Sequence, residues 1–290
     1  MGLSIDRYGD ICLYQTWQDL VSQEVCEQLT LQISKCLGVS LKTVWNHRKK
    51  RGSVVHKGDR FSEPHFVQEL GLKYTAQPQH EGIDPLLFLD FRAGRRWVRG
   101  NVKGLSVLNL FSYTCGIGVA AMAGEALSVH NVDFAQRALD YGRLNAQLNG
   151  IPLKRFHTIH DNVFPVVRQF AGLKIQGRAA RKGFKRYEKN TFDLVVLDPP
   201  RLSKSPFGKV DLVRDYQSLF KPALLCTKEG GTLLITNNVA SVDEQDWHKI
   251  ILKCAQKSGR KVHSLEPLRP EDDFPSPDRR WPLKMAIVRV

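Results

Sequence analysis

The stretch Val107-Leu-Asn-Leu-Phe-Ser-Tyr-Thr-Cys-Gly-Ile-Gly-Val-Ala-Ala121 constrains this chain more than any other. Val107 to Phe111 is a short apolar run of the kind that fills a strand buried on both faces of a parallel sheet. The run breaks at Gly116 and Gly118, and Val119-Ala-Ala-Met-Ala123 resumes as a small-residue helix start. Strand, glycine turn and helix in that order let a ligand approach the backbone closely at a helix N-terminus. Further on, Val129-His-Asn-Val-Asp133 reads as a second strand ending in a carboxylate, which can accept both hydroxyls of a ribose. Together the two signals point to an adenosine-containing cofactor. The turn lacks the Gly-x-Gly-x-x-Gly spacing that cradles a pyrophosphate, so a nucleoside cofactor without phosphates is the better fit, and S-adenosylmethionine is one. An ordinary βαβ turn followed by a surface aspartate would carry the same residues.

The pattern continues on both sides of this stretch. Leu127–Val132 reads as a strand, and the helix starting at Phe134 puts Ala135, Ala138, Leu139, Gly142 and Ala146 on one face before Asn149-Gly150 caps it. Arg155–His160 is a third strand, ending in Asp161-Asn162, and Val163–Ala171 a helix. This alternation predicts a parallel sheet wound on both faces. Leu194–Leu197 is another buried-type strand and delivers Asp198-Pro-Pro200 at its C-terminal end. Each proline ring restricts its own φ and the residue before it, so Asp198 and the Pro199 carbonyl become acceptors of fixed geometry for a planar, nitrogen-bearing base. Prolines there can also simply end a strand. Leu212–Thr227 reads as a helix, Thr232–Thr236 as a strand ending in Asn237-Asn238, Pro270–Pro277 as a Pro-rich loop and Met285–Val290 as a last strand. The asparagine pair suits either amide contacts to a base edge or a turn.

Before the alternating region, Leu3–Gln15 suggests two strands around a Tyr-Gly-Asp turn, and Ser22–Leu37 a helix with Val25, Leu29, Ile33 and Leu37 at fourfold spacing, ended by Gly38. Leu41–Val44 starts another apolar segment, and His65–Thr75 reads as a hairpin. The chain thus divides into a small α+β domain over 1–76, a linker with contacting residues over 77–103, and the alternating domain over 104–290. In the middle part Asp90, Arg92, Arg95 and Arg96 sit among aromatics. Arg92 and its neighbours suit a fork onto a cofactor carboxylate or, equally, a salt-bridge cluster.

The formal net charge of +14 favours a polyanion partner, which rewards it through counterion release. Two stretches concentrate it. His47-Arg-Lys-Lys-Arg51 offers Arg48, Lys49, Lys50 and Arg51 to phosphates, or is a solvated loop. Residues 172–190 carry seven Lys or Arg against one acid, with Phe184 and Tyr187 interleaved. Arg178, Arg181, Lys182, Lys185 and Arg186 are the expected RNA contacts there, since basic side chains with stacking rings are what single strands require. Six scattered cysteines without paired spacing argue against zinc, any other metal site and a disulfide framework. No leader-like segment and no run near the roughly 18 apolar residues of a membrane span appears, so a cytoplasmic, membrane-free setting is expected.

With these residues in view, the chain resembles the class I, S-adenosylmethionine-dependent methyltransferases of large-subunit (23S-type) ribosomal RNA, the group that contains cytosine-C5 and guanine-N7 enzymes. The similar parts are Val107–Gly118, Asn131-Val-Asp133, Asp161-Asn-Val-Phe164 and Val196-Leu-Asp-Pro-Pro200, with Phe88-Leu-Asp-Phe-Arg92 and Arg95 upstream. The resemblance implies a Rossmann-like, doubly wound, seven-stranded methyltransferase sheet with a small N-terminal α+β domain. It implies that Asn109, Phe111, Thr114 and Gly116 line the cofactor, that Asp133 with Phe134 holds its ribose side, and that Asp161 with Asn162 faces the adenine amine. Asp198 would stand between methyl donor and base, with Pro199 and Asn237 beside it. The implied partner is ribosomal RNA or a pre-ribosomal particle. Members often carry an N-terminal RNA-binding domain ahead of the segment matching Leu3; none precedes Leu3 here, so the basic segments are expected to do more of the RNA work. Cytosine-C5 chemistry needs a thiolate adding to C6, and a C5 enzyme of the group would present it near the end of Thr232–Thr236 or beside Asp-Pro-Pro, where this chain has Asn237 and Arg201. A guanine nitrogen is therefore the expected target, cytosine C5 the alternative, and a non-catalytic RNA-binding protein on the same fold a reading of another class.

Overall fold

The computed structural model describes residues 2–17, 21–48, 54–58, 64–77, 85–175, 184–205, 208–213, 215–276 and 278–290; the side chains of Arg48, 54–58, 202–205 and 208–210 lie outside that description. These residues form two compact units, Met1–Leu89 and Asp90–Val290.

In the first unit, β1 (Leu3–Tyr8) and β2 (Ile11–Thr16) pair antiparallel around Gly9, whose φ of +63° makes the tight turn. Helix α1 (Gln23–Leu37) follows, with the Ser22 hydroxyl accepting the Val25 N–H and Gly38 closing it in the left-handed region. It carries the chain across to β3 (Lys42–Arg48), parallel to β2, and β4 (Val54–Gly58) completes the order β1-β2-β3-β4. The buried stripe of α1 differs from the expected one. Val25 and Leu37 are exposed, and the helix turns Cys26 and Thr30, with Leu29 and Ile33 beside them, toward Tyr14 and Trp45. That set also repeats at three and four residues, and it wins because Thr30 hydrogen-bonds both the Cys26 carbonyl (2.9 Å) and the Tyr14 hydroxyl (3.0 Å). The hairpin of β5 (His65–Glu69) and β6 (Leu72–Ala76) turns on Leu70 and Gly71, both at positive φ, as a two-residue hairpin turn of the right twist requires.

The second unit begins with α2 (Arg92–Asn101). Then come β7 (Ser106–Leu110), α3 (Gly116–Ala123), β8 (Ser128–Asp133), α4 (Gln136–Leu148), β9 (Phe156–His160), α5 (Val163–Phe170) and β10 (Phe192–Leu197). A hairpin of β11 (Leu202–Ser205) and β12 (Gly208–Asp211) leads to α6 (Gln217–Leu225), β13 (Thr227–Asn237), α7 (Glu244–Lys257), β14 (Ser264–Leu268) and β15 (Lys284–Arg289). The seven-stranded sheet runs β14-β15-β13-β10-β7-β8-β9, with β15 antiparallel to both neighbours and the strands from β13 to β9 parallel. This is the doubly wound α/β sheet the alternation predicts. The chain leaves β7 toward β8 and β9, then returns to the other side of β7 for β10 and β13. That reversal opens a crevice at the C-terminal ends of β7 and β10, where such sheets bind ligands.

Three local readings are corrected. The expected helix Leu212–Thr227 is α6 alone, because the chain from Thr227 pairs with Phe192 instead. Strand β13 therefore starts five residues before Thr232, and a bulge at Lys228–Gly231 absorbs the shift, with Gly230 at φ +72°. Between Asn238 and Pro267, where the sequence reading names no element, α7 buries Trp247, Ile251, Cys254 and Ala255 and is capped by Asp243. Among the described residues no helix is long and apolar enough to cross a membrane.

Candidate functional site

The turn after β7 is built from strained backbone. Phe111, Tyr113 and Cys115 all sit at positive φ (58°, 48° and 57°), a conformation that costs a non-glycine residue roughly 1–3 kcal/mol and persists where surroundings enforce it. Asp133, at the end of β8, is the enforcing group. One carboxylate oxygen accepts the Tyr113 N–H and the other the Ala135 N–H, both at 2.8 Å. Asp133 is 4% exposed, and burial raises its pKa against the lowering by these backbone donors. The Phe134 N–H adds to these two donors, so backbone amides from the turn after β7 and from the end of β8 converge on this one carboxylate.

Below the turn, Asn109 on β7 donates to Asn131 on β8 (2.9 Å), and Asn131 donates to the His157 carbonyl on β9 (3.2 Å). Both amides are buried and stitch the three strands together. A Cβ at Gly118 would overlap the Asn131 amide, so the second glycine lets α3 lie directly on β8. Gly142 does the same for α4: a Cβ there would overlap the Cys115 side chain. Thr114 is buried, and its carbonyl accepts from Asn145 (3.1 Å); Gly116 opens α3. Phe111 packs edge-on against Phe164 at 6.2 Å. Phe134, immediately after Asp133, is 59% exposed, and its carbonyl is within hydrogen-bond distance of His160 Nε2 (3.1 Å).

At the end of β9, Asp161 takes the Asn162 N–H on Oδ1 (2.6 Å) and the Tyr187 hydroxyl on Oδ2 (2.9 Å). Asn162 caps α5 through the Phe164 N–H (3.0 Å). At the end of β10, Asp198 accepts a short hydrogen bond from the Thr236 hydroxyl on β13. Burial pushes its pKa up to about 6, with the Thr236 bond lowering it, the Asp90 charge raising it and Arg95 lowering it. The charges of Asp90 and Arg95, from the segment ahead of β7, are thus felt at this carboxylate. Pro199 is buried behind Asp198. Asn237 is fully buried at the end of β13; Oδ1 accepts the Val239 N–H (3.0 Å), while Nδ2 has no hydrogen bond among the described residues. Lys284 steadies the same turn by donating to the Val239 carbonyl at 2.8 Å.

The structure thus brings Asn109, Phe111, Thr114, Gly116, Asp133, Phe134, Asp161, Asn162, Asp198, Pro199 and Asn237 to one edge of the sheet. Arg92 is engaged otherwise: its guanidinium is ion-paired with Glu271 and Asp273, and Arg96 shares Glu271 at 2.8 Å, so these arginines hold the Pro-rich loop to α2. An open cavity of about 640 Å³ lies beside this cluster, lined in part by Arg96, Trp97, Leu268 and Arg269. Of the expected RNA contacts, Lys185 and Arg186 are described and exposed, and Arg48 only as the end of β3. Lys49, Lys50, Arg51, Arg178, Arg181 and Lys182 lie outside the described residues. Sequence reasoning missed Thr236 and His160 and read Tyr187 only as a ring for stacking on RNA, because these roles depend on contacts between distant segments.

The chemistry of this edge fits a nucleoside cofactor without phosphates. Strand-terminal carboxylates on β8 and β9 offer acceptors for sugar hydroxyls and an exocyclic amine, and the glycine-flanked turn brings backbone close. The S-adenosylmethionine-dependent methyltransferase family matches residues 18–289. A ribosomal RNA large subunit methyltransferase I from Aeromonas salmonicida is 30% identical over 281 residues, covering 94% of this chain and 67% of that protein. The enzyme of the same name from Escherichia coli K12 is 30% identical over 289 residues, with the same shares. The chain spans about two thirds of the length of these relatives. Among solved structures, a methyltransferase complexed with SAH superposes with a TM-score of 0.79 at 23% identity, covering 100% of this chain and 72% of that one. The sheet order, the strand-end carboxylates and the family match agree, and the chain belongs to the S-adenosylmethionine-dependent methyltransferases.

Proposed function

We propose that this methyltransferase modifies a base of large-subunit ribosomal RNA, at a guanine nitrogen such as N7. Two relatives at 30% identity are named for large-subunit rRNA, and the net charge of +14 suits a polyanionic substrate. The single observation carrying the choice of base is the end of β10, where Asp198 and the Pro199 carbonyl are acceptors held by prolines and by Thr236.

S-adenosylmethionine supplies an electrophilic methyl group when bound. Asp133 and Asp161 are assigned to its sugar and adenine, with Asn109, Phe111, Thr114 and Gly116 forming the floor and turn and Phe134 and Asn162 flanking them. A guanine ring nitrogen carries its own lone pair, so the chain need supply neither a nucleophile nor a base; its contribution is position. Ionised Asp198 accepts from the N–H groups on one edge of guanine and the Pro199 carbonyl extends that edge, while fully buried Asn237 shapes the turn beside them through the Val239 N–H. Pro199 and Asn237 stand two residues beyond the paired Leu197 and Ile235, at one level of the sheet. Lys185 and Arg186 are assigned to phosphates, and the small N-terminal unit contributes further contacts through Arg48.

The cytosine-C5 alternative needs a reactive thiolate, which neither Cys115 nor Cys226 supplies. Cys115 and Cys226 are fully buried, and burial pushes both thiols up to about 12. Mass-spectrometric mapping of rRNA nucleosides from a gene-deletion strain, complemented by wild type or Asp198→Asn, tests the reading. It expects one methylguanosine lost on deletion and restored only by wild type. Loss of 5-methylcytidine overturns the base assignment, and no loss at all favours RNA binding without chemistry.

A further inference from the structure

The basic segment from Phe184 to Asn190 is fastened to α5 by one side chain. The Gln169 amide donates to the Lys185 carbonyl (3.1 Å) and accepts the Tyr187 N–H (3.1 Å), the pairing a neighbouring strand would make. Asn190 N–H adds a bond to the Phe170 carbonyl (3.1 Å). This clamp sets the Tyr187 ring edge-on to Phe170 at 5.8 Å and aims its hydroxyl at Asp161 Oδ2, 2.9 Å away. Above the same ring lies the Lys185 ammonium, 5.5 Å from the centroid. Lys185, Arg186 and Lys189 are exposed. One short stretch therefore presents cations outward and a hydroxyl inward, onto the carboxylate assigned to the cofactor's adenine.

We propose that Tyr187 is a positioning residue that couples nucleic-acid binding at Lys185 and Arg186 to cofactor affinity at Asp161. The inference rests on the assignment of Asp161 made above. Among the described residues few hydrogen bonds hold the segment, so docking it costs ordering entropy that either ligand offsets for the other. A phosphate on Lys185 or Arg186 favours the docked segment; the docked segment keeps the Tyr187 hydroxyl on Asp161, and Asp161 is thereby held in one orientation for the adenine amine. By linkage, the cofactor tightens RNA binding by the same factor. The raised pKa of Tyr187, caused by burial and then by Asp161, keeps the hydroxyl a donor.

The test measures S-adenosylhomocysteine affinity of the full chain by calorimetry, with and without saturating protein-free ribosomal RNA. Wild type is expected to bind roughly fivefold or more tightly with RNA, and the RNA affinity to rise by the same factor with S-adenosylhomocysteine present. In Tyr187→Phe, which keeps the ring against Phe170, the RNA-dependent tightening should fall below about twofold. Gln169→Ala, which releases the clamp but spares Tyr187 and Asp161, should give the same loss. Wild-type coupling retained in both variants, or a wild type that binds both ligands without coupling, overturns the inference alone. A wild type that does not bind S-adenosylhomocysteine overturns the cofactor assignment and the inference together.

Discussion

Asp198 is caught between burial, which favours its neutral form, and the task of accepting hydrogen bonds, which needs the charged one. Its pKa of about 6, against 3.8 for a free aspartate, sets a pH limb: methyl transfer should rise as pH passes upward through about 6, when the carboxylate forms. Stability should move the other way. Between these two values the native state keeps a proton that the unfolded chain has released, so the unfolding free energy falls as pH rises through that window. Asp198→Asn should abolish both dependences and reduce activity by roughly 100-fold, the lower range for losing one preorganised hydrogen-bonding group; an unchanged pH–rate limb in that variant assigns it to another residue. A second residue-scale claim concerns the turn. Gly142→Ala drives a methyl into Cys115 and should cost about 1–3 kcal/mol in urea unfolding. Cys115→Gly removes the obstacle and suits the positive φ there. The double variant should therefore be less destabilised than the sum of the singles by about 1 kcal/mol or more, and strict additivity would refute the proposed contact.

Helix α2 starts against its own dipole. Arg92 occupies its first turn, where a cation is unfavourable, and no side chain caps it. Glu271 and Asp273 supply the missing negative charge from the Pro-rich loop, and Glu271 is held below its ordinary 4.5 by Arg96 and Arg92. Glu271→Gln should lower stability by about 1–2 kcal/mol at neutral pH. Because a depressed carboxylate stabilises above its unfolded pKa, the gap to wild type should close as pH falls below 4.5 and through the depressed value; a gap in thermal unfolding that persists in acid would place the effect elsewhere. Elements like this one separate what sequence can reveal from what it cannot. Strands β7 and β10 were legible as largely apolar runs, β8 and β9 through the strand–helix alternation around them, and the carboxylates at β8, β9 and β10 because each stands at or just after a strand end. Helix α7 carried readable signals, with Asp243 at its start and Trp247, Ile251, Cys254 and Ala255 in register. Strand β14 did not: it is a half-exposed edge strand holding Pro267, a residue that argues against a strand when met in sequence. The Tyr187 bond to Asp161 joins residues 26 apart and the Thr236 bond to Asp198 residues 38 apart, separations that no local pattern encodes.

Across the whole molecule, 43 Lys and Arg against 29 Asp and Glu give the net +14. Charge at that level supports RNA binding in general without saying which cations touch phosphate, and salt dependence resolves the difference. For single strands the logarithm of affinity falls against the logarithm of salt with a slope of about −0.7 per phosphate neutralised. If Lys185 and Arg186 each hold one phosphate, the variant Lys185→Ala/Arg186→Ala should bind ribosomal RNA with a slope shallower by about 1.4. Cations that merely add to the distant field would weaken binding while leaving the slope nearly unchanged, because they release no condensed counterion. Fluorescence anisotropy over a salt series, with S-adenosylhomocysteine affinity in the absence of RNA as the check on the folded site, separates the two. A parallel pair of lines for wild type and variant would remove the 184–190 segment from the RNA contact and leave the charge elsewhere on the chain to account for binding.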